Sequence, residues 1–289
     1  MEIRKAQRKK AKLRLGLSGP SGAGKTYSAL KLAFGLGGKV GLIDTEHGSG
    51  DLYAHLGDYD VIQLEAPYIV NKYLQAIKAF EDAGYGVIII DSLTHAWAGD
   101  GGLLDKQGKA ADRLKNSYTA WREVTPDHNA LVDAILQSSC HVIATMRSKT
   151  EYVLEEGNNG KKVPRKVGMA PVQRDGMEYE FTVFLDVTHD HTASASKDRT
   201  GLFDGQYFKI SEDTGATLLQ WLDSGAEPPQ VVKVDEAQVS TLIDLLTDAG
   251  VDEAWLCAKA KVQRLADLPA EKFETAKAAI AAKKIKAAA

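Results

Sequence analysis

Cysteine is scarce in this sequence: among 289 residues only Cys140 and Cys257 carry thiols, and they lie far apart. Neither stands at a metal-type or redox-type spacing, so the expectation is two free thiols in a reducing compartment. A long apolar run is missing as well. No stretch reaches the ~20 residues that cross a bilayer, and the basic N-terminus lacks the apolar segment of a signal peptide. The expected location is therefore the cytoplasm, with no membrane partner. A strong charge imbalance is absent too. A net charge of −3 excludes a chain that is polybasic throughout, so any nucleic-acid contact has to come from local patches. No internal repeat is visible.

What is present is the composition of a soluble globular protein, 44% hydrophobic and 26% charged, long enough for one full α/β domain and a small appendage. Residues 1–14 form a basic arm with seven Lys or Arg against one Glu. Strand-like segments follow at Leu13–Leu17, Lys39–Asp44, Asp60–Leu64, Val87–Ile90 and His141–Thr145. Helical spacing is seen over Tyr68–Ala83 and over Ser117–Ser138, the latter with an expected break near Pro126. A continuous β-branched run such as Val87–Ile90 is typical of a parallel strand buried on both faces. The alternation predicts an α/β fold with a mostly parallel twisted sheet covered by helices on both faces. Residues 147–174 are polar and basic with Gly157-Asn158-Asn159-Gly160 in the middle, predicting a hairpin or loop. Further strands are expected at Glu180–Thr188, Ala193–Arg199 and Gln206–Ile210. The domain reading is a basic arm (1–14), an α/β core (15–223), a linker (224–234) and a three-helix module (235–289). The first helix of that module starts at a capping box, Asp235 with Gln238.

The segment Gly19-Pro20-Ser21-Gly22-Ala23-Gly24-Lys25-Thr26 matches G-x-x-x-x-G-K-[ST] in full. Its glycines let backbone N–H groups curl around phosphates, and the helix after Gly24 turns its positive end toward them. Lys25 reaches the β- and γ-phosphates and Thr26 offers a hydroxyl to Mg²⁺, with Tyr27 next in line, so the expected cofactors are ATP and Mg²⁺. Asp91, ending the Val87–Ile90 strand, is the expected second Mg²⁺ ligand. Glu46, in Asp44-Thr45-Glu46-His47, is the best-placed base for an attacking water. His189 and His191 could share a strand face, but no third ligand stands at a metal-binding spacing.

The stretch IDTEH followed by GSGDLYAHLG resembles the strand-end signature of RecA-type recombinases, which implies a catalytic role for Glu46. VIIIDSL resembles the Walker B strand of that family, and VIATMRSK the strand leading into its second DNA-binding loop. Where those recombinases carry a glutamine that senses the γ-phosphate, this chain has Thr145, with Arg147 two residues on. Ser196-Lys197-Asp198-Arg199-Thr200-Gly201 resembles the K-x-R-x-G element of ring-forming RecA-like ATPases. That resemblance implies that Lys197 and Arg199 act in a neighbouring subunit's site of a homo-oligomer; a solvated turn is the competing reading. The cations of the 147–174 segment, Arg147, Lys149, Lys161, Lys162, Arg165 and Lys166, fit a single-stranded DNA contact, with Tyr152 as a stacking partner; a solvated hairpin competes here.

As a whole, residues 3–220 resemble the short, core-only RecA-like ATPases of phages and prophages, the AAA-type or Sak-type recombination ATPases. The expectation is a DNA-stimulated ATPase acting in recombination or annealing within a bacterial host. A ring helicase or helicase loader, a KaiC-like signalling ATPase and, last, a small-molecule kinase are the alternatives.

Overall fold

The computed structural model describes residues 5–156, 162–226, 232–260 and 262–288, with side chains described outside 150–168 and 284–288. Two compact units divide the chain, Met1–Ala226 and Glu227–Ala289.

The first unit is a mixed sheet in the order β3-β2-β4-β5-β1-β7-β8-β9. Its parallel strands are β1 (Arg14–Gly19), β2 (Val40–Asp44), β3 (Asp60–Gln63), β4 (Val87–Asp91), β5 (His141–Glu156) and β7 (Val183–Val187). The short strands β8 (Ala193–Asp198) and β9 (Tyr207–Phe208) close one edge in antiparallel fashion. β6 (Lys162–Pro171) pairs antiparallel with the far half of β5, from Ser148 opposite Pro171 to Glu156 opposite Lys162. The first half of β5 therefore belongs to the parallel sheet and its second half to a hairpin, as the polar composition of 147–174 predicts.

Every residue of β1, β2 and β4 is buried, which explains why these strands read as apolar runs rather than alternations. One face of the sheet is covered by α1 (Lys25–Leu36) and α6 (Glu212–Asp223), through Leu15, Leu17, Leu30, Leu32, Ile89, Leu185 and Leu218. The other is covered by α2 (Val70–Asp82) and α5 (Ser117–Gln137), through Tyr73, Ile77, Phe80, Ile88, Ile90, Val124, Leu131 and Phe184. At ~1.5–3 kcal/mol per fully buried large apolar side chain, these two layers hold the sheet flat against its helices. Where α1 crosses α6, a Cβ on Gly35 would stand 1.9 Å from the Glu212 carbonyl oxygen, and one on Gly215 2.3 Å from that of Leu32. The two backbones touch.

Three helices escape the sequence reading: α3 (Leu93–Ala98), α4 (Leu103–Leu114) and α6. The expected break at Pro126 does not occur, and α5 runs through it. Pro126 removes one amide, which would have bonded to the carbonyl of Arg122, and both residues lie on the exposed side, where water can bond to the freed oxygen. α5 starts at Asn116, whose Oδ1 accepts from the Thr119 amide at 3.0 Å.

The second unit gathers α7 (Glu236–Asp248), α8 (Glu253–Ala260) and α9 (Phe273–Ala288) around Leu242, Leu246, Leu256, Leu265, Leu268 and Ile280. The capping box is formed as read: Gln238 N–H donates to Asp235 at 2.7 Å and the Asp235 amide donates to Gln238 Oε1 at 3.1 Å. Among the described residues no helix is long and apolar enough to cross a membrane.

Candidate nucleotide-binding site

The phosphate loop, Glu46, Asp91, Thr145 and Arg147 collect at the carboxyl ends of β1, β2, β4 and the parallel half of β5, the edge where parallel α/β sheets place ligands. β1 ends at Gly19 and the chain turns through Gly22 (φ 79°) and Gly24 (φ 80°), left-handed positions that glycine occupies without strain. α1 then starts with no side-chain cap and no acidic residue in its first turn. Its first amides are therefore left to an incoming anion, and the helix dipole favours one there. Lys25 Nζ donates to the Pro20 carbonyl at 2.9 Å, arching back over the loop. Burial lowers the pKa of its ammonium, opposed by the charges of Asp91 and Glu46.

Asp91 is 3% exposed. Its Oδ2 accepts from Thr26 Oγ1 at 2.5 Å and its Oδ1 from Thr145 Oγ1 at 2.5 Å. Burial raises its pKa, with both hydroxyls pulling the other way. A carboxylate buried with only hydroxyl partners is undercompensated, and the Thr26–Asp91 pair offers the hard oxygen donors that Mg²⁺ prefers. The residues present fit that ion. Among the described residues no group of three or more His, Cys, Asp and Glu converges. Thr145 thus buttresses Asp91.

Asp44 shapes the turn that carries Glu46. It pairs in register with Asp91 across β2 and β4, and its two oxygens accept from the amides of Glu46 (2.6 Å) and Gly50 (3.1 Å). Glu46 Oε1 accepts from Ser92 Oγ at 3.1 Å and from Arg147 Nε at 3.2 Å, and Oε2 from Arg147 Nη2 at 2.5 Å. Burial works to raise the Glu46 carboxyl, but the hydrogen bonds and charge of Arg147, helped by His95 and Ser92, hold it below its ordinary range. His95 Nδ1 lies 4.0 Å from Glu46 Oε1 and 2.7 Å from Thr45 Oγ1, under the ring of Tyr68 at 4.9 Å.

The sequence groups Arg147 with the hairpin cations; its guanidinium instead engages Glu46. Lys149 lines a surface cavity of about 610 Å³ with Gln173, Arg174 and Asp186 at the hairpin base. Lys161 and the side chains of Tyr152, Lys162, Arg165 and Lys166 lie outside the described residues. Lys197 and Arg199 do not reach the phosphate loop of their own chain. Lys197 Nζ donates to the carbonyls of Glu178 (3.1 Å) and Tyr179, and Arg199 Nη2 to that of Tyr179 at 3.2 Å.

Beside the phosphate loop lies a cavity of about 450 Å³ lined by Gly22, Gly24, Tyr27, Tyr53, His191 and Lys209, sized and lined for a nucleoside. Of the H-x-H pair, His191 sits on the β7–β8 turn rather than on a strand, with φ 61°, and its Nδ1 lies 3.1 Å from the Ala23 carbonyl oxygen. Sequence reading gives no role to Asp44, Ser92, Tyr53, His95 or Lys209; the first three lie inside stretches already quoted, and the other two have no local signal.

A phosphate loop on a parallel sheet, joined through Thr26 to the buried Asp91, defines a P-loop ATPase domain. The chain belongs to the AAA domain family, whose model matches residues 11–216. No curated protein matches it. Among solved structures it is similar to a prototypical ATPase from the type III secretion system of pathogenic bacteria. That match has 13% identity and a TM-score of 0.35, covering 94% of this chain and 81% of the other; a likeness at that level carries no argument about function.

Proposed function

We propose that the protein hydrolyses ATP as a RecA-like homo-oligomer and acts on single-stranded DNA in phage recombination or annealing. The observation that supports hydrolysis is the convergence of Lys25, Thr26, Asp91 and Glu46 on neighbouring strand ends. Lys25 and the first amides of α1 hold the β- and γ-phosphates. Thr26 and Asp91 would hold Mg²⁺, which when bound would supply Lewis-acid stabilisation of charge on the terminal phosphate. Glu46 accepts a proton from water as the water oxygen bonds to the γ-phosphorus and the bond to the ADP oxygen breaks. Lys197 and Arg199 of a neighbouring copy neutralise the charge that builds on the transferred group. The DNA reading is supported by strand β5, which carries Thr145 and Arg147 at the site and continues without interruption into a hairpin whose sequence is rich in Lys and Arg.

The test is steady-state ATP hydrolysis with and without single-stranded DNA, at two protein concentrations. Stimulation by DNA, together with specific activity that rises with concentration and is lost in Arg199→Ala, is the expected result. Hydrolysis indifferent to both DNA and concentration would remove the DNA and oligomer parts and leave a protein-directed nucleotide switch.

A further inference from the structure

We propose that Arg147 is a transferable clamp that holds Glu46 until the terminal phosphate of a nucleoside triphosphate takes over its guanidinium. The inference rests on the nucleotide reading of the site and adds a positioning residue to it.

Three observations carry it. First, the ion pair is two-pronged: Arg147 Nε and Nη2 each engage a different oxygen of Glu46, at 3.2 and 2.5 Å, and Ser92 Oγ adds a third donor at 3.1 Å. A carboxylate held by a guanidinium fork is a strong, oriented contact, and with both oxygens engaged it is a poor acceptor for a water proton. Glu46 becomes a competent base only when the fork turns away. Second, the fork stands beside the phosphate loop. Arg147 is paired in register with Gly19, the first residue of that loop, and its charge is felt at the Lys25 ammonium. Third, the Arg147 main chain is fixed while its side chain borders solvent, with room to turn once Glu46 releases it. The Arg147 amide donates to Thr94 Oγ1 at 2.9 Å and its carbonyl accepts from the Val172 amide at 2.6 Å, yet the side chain is 49% exposed.

An anion arriving at the end of the triphosphate therefore competes with Glu46 for a planar fork that suits phosphate as well as carboxylate. A diphosphate, one phosphate shorter, would not offer that anion. Arg147 would thus separate the two nucleotides and release the base only for the one that can be cleaved.

The experiment is a double-mutant cycle on the full chain with Mg²⁺, measuring affinity for ADP and for a non-hydrolysable ATP analogue by calorimetry. The proteins are wild type, Glu46→Gln, Arg147→Ala and the double variant, with Arg147→Gln replacing the alanine variant if that one does not fold. Glu46→Gln frees the fork and is expected to tighten the triphosphate analogue about tenfold, with ADP changed less than about twofold. Arg147→Ala is expected to weaken the analogue about tenfold, and in its background the gain from Glu46→Gln disappears. Arg147→Lys should restore only part of the affinity, because a point charge cannot make the two-pronged contact.

A gain from Glu46→Gln that persists undiminished without Arg147 would overturn the clamp, since it would reflect only removal of a repelling carboxylate. Equal effects on ADP would overturn it as well. The site reading fails separately. Full turnover in Glu46→Gln ends the base assignment while the affinities still judge the clamp. A flat cycle with a dead Glu46→Gln ends the clamp and leaves the base. If none of the proteins binds either nucleotide, both readings fall.

Discussion

Strands β1 and β5 run side by side and carry polar groups at both ends, but the two ends are built differently. At the amino end, Arg14 is 6% exposed and its guanidinium meets only neutral oxygens: the carbonyls of Leu13 (2.8 Å), Cys140 (2.7 Å), Ser138 (2.5 Å) and Leu136 (3.1 Å). Next to it His141 accepts the Leu13 amide on Nδ1 at 3.0 Å. At the carboxyl end, Lys25 and Arg147 face the carboxylates of Asp91 and Glu46. A cation saturated by backbone carbonyls has fixed partners, and it ties the end of α5 to the sheet, where the helix dipole favours positive charge. Cations and carboxylates gathered at an open edge can exchange partners with a charged ligand. The first arrangement is structural and the second is reactive.

The comparison breaks most visibly at the carboxyl end. Lys25→Ala is expected to lower ATP turnover by ~10²–10³-fold or more, with no fall in Tm, as a coupled assay and a thermal melt would show. A matching drop in Tm would mean that the reactive end also holds the fold. At the amino end Arg14→Met should do the reverse. It leaves several carbonyls unpaired and is expected to cost about 2–4 kcal/mol in urea unfolding, with nucleotide affinity within about twofold of wild type. The smallest effect sharpens the picture. Burial, with Lys12 and Arg14 adding, lowers His141 to about 4, against ~6.5 in an unfolded chain. Between those values the unfolded chain binds the extra proton. Stability is therefore full above about pH 6.5 and falls as the pH drops toward 4, by about 2 kcal/mol at pH 4.5. His141→Asn, which keeps an acceptor for the Leu13 amide but cannot titrate, should remove that part of the slope in urea melts at pH 7 and 4.5.

How far the sequence reveals this molecule depends on whether a feature is local. The phosphate loop is legible because its chemistry demands particular residues at adjacent positions. The apolar runs of β1, β2 and β4 are legible because a strand covered on both faces has to be apolar throughout. The Thr26–Asp91 contact follows once Thr26 is placed in the first turn of α1 and Asp91 at the end of β4. The partnership of Arg147 with Glu46 spans 101 positions and depends on which strand lies next to which, so the local charge pattern pointed to the hairpin instead. α3 and α4 were missed for a related reason: they are short or weakly buried and owe their order to the strands beneath them. Pro126 misled because a rule about helix interiors ignores which side of the helix faces water. The H-x-H pair marked a residue beside the loop, but its chemistry there is a contact with a backbone carbonyl.

The crossing of α1 and α6 bears on which substitutions the chain can accept. Gly35 and Gly215 touch no phosphate and hold no charge, yet the clearance at each is smaller than a methyl group. An alanine at either would pry apart the helix that begins at Lys25 and the helix that follows Lys209 and Ile210, which line the cavity beside the phosphate loop. Tolerance to mutation here is set by thickness rather than by reactivity, and two residues without functional groups are as constrained as the lysine ten positions before the first of them.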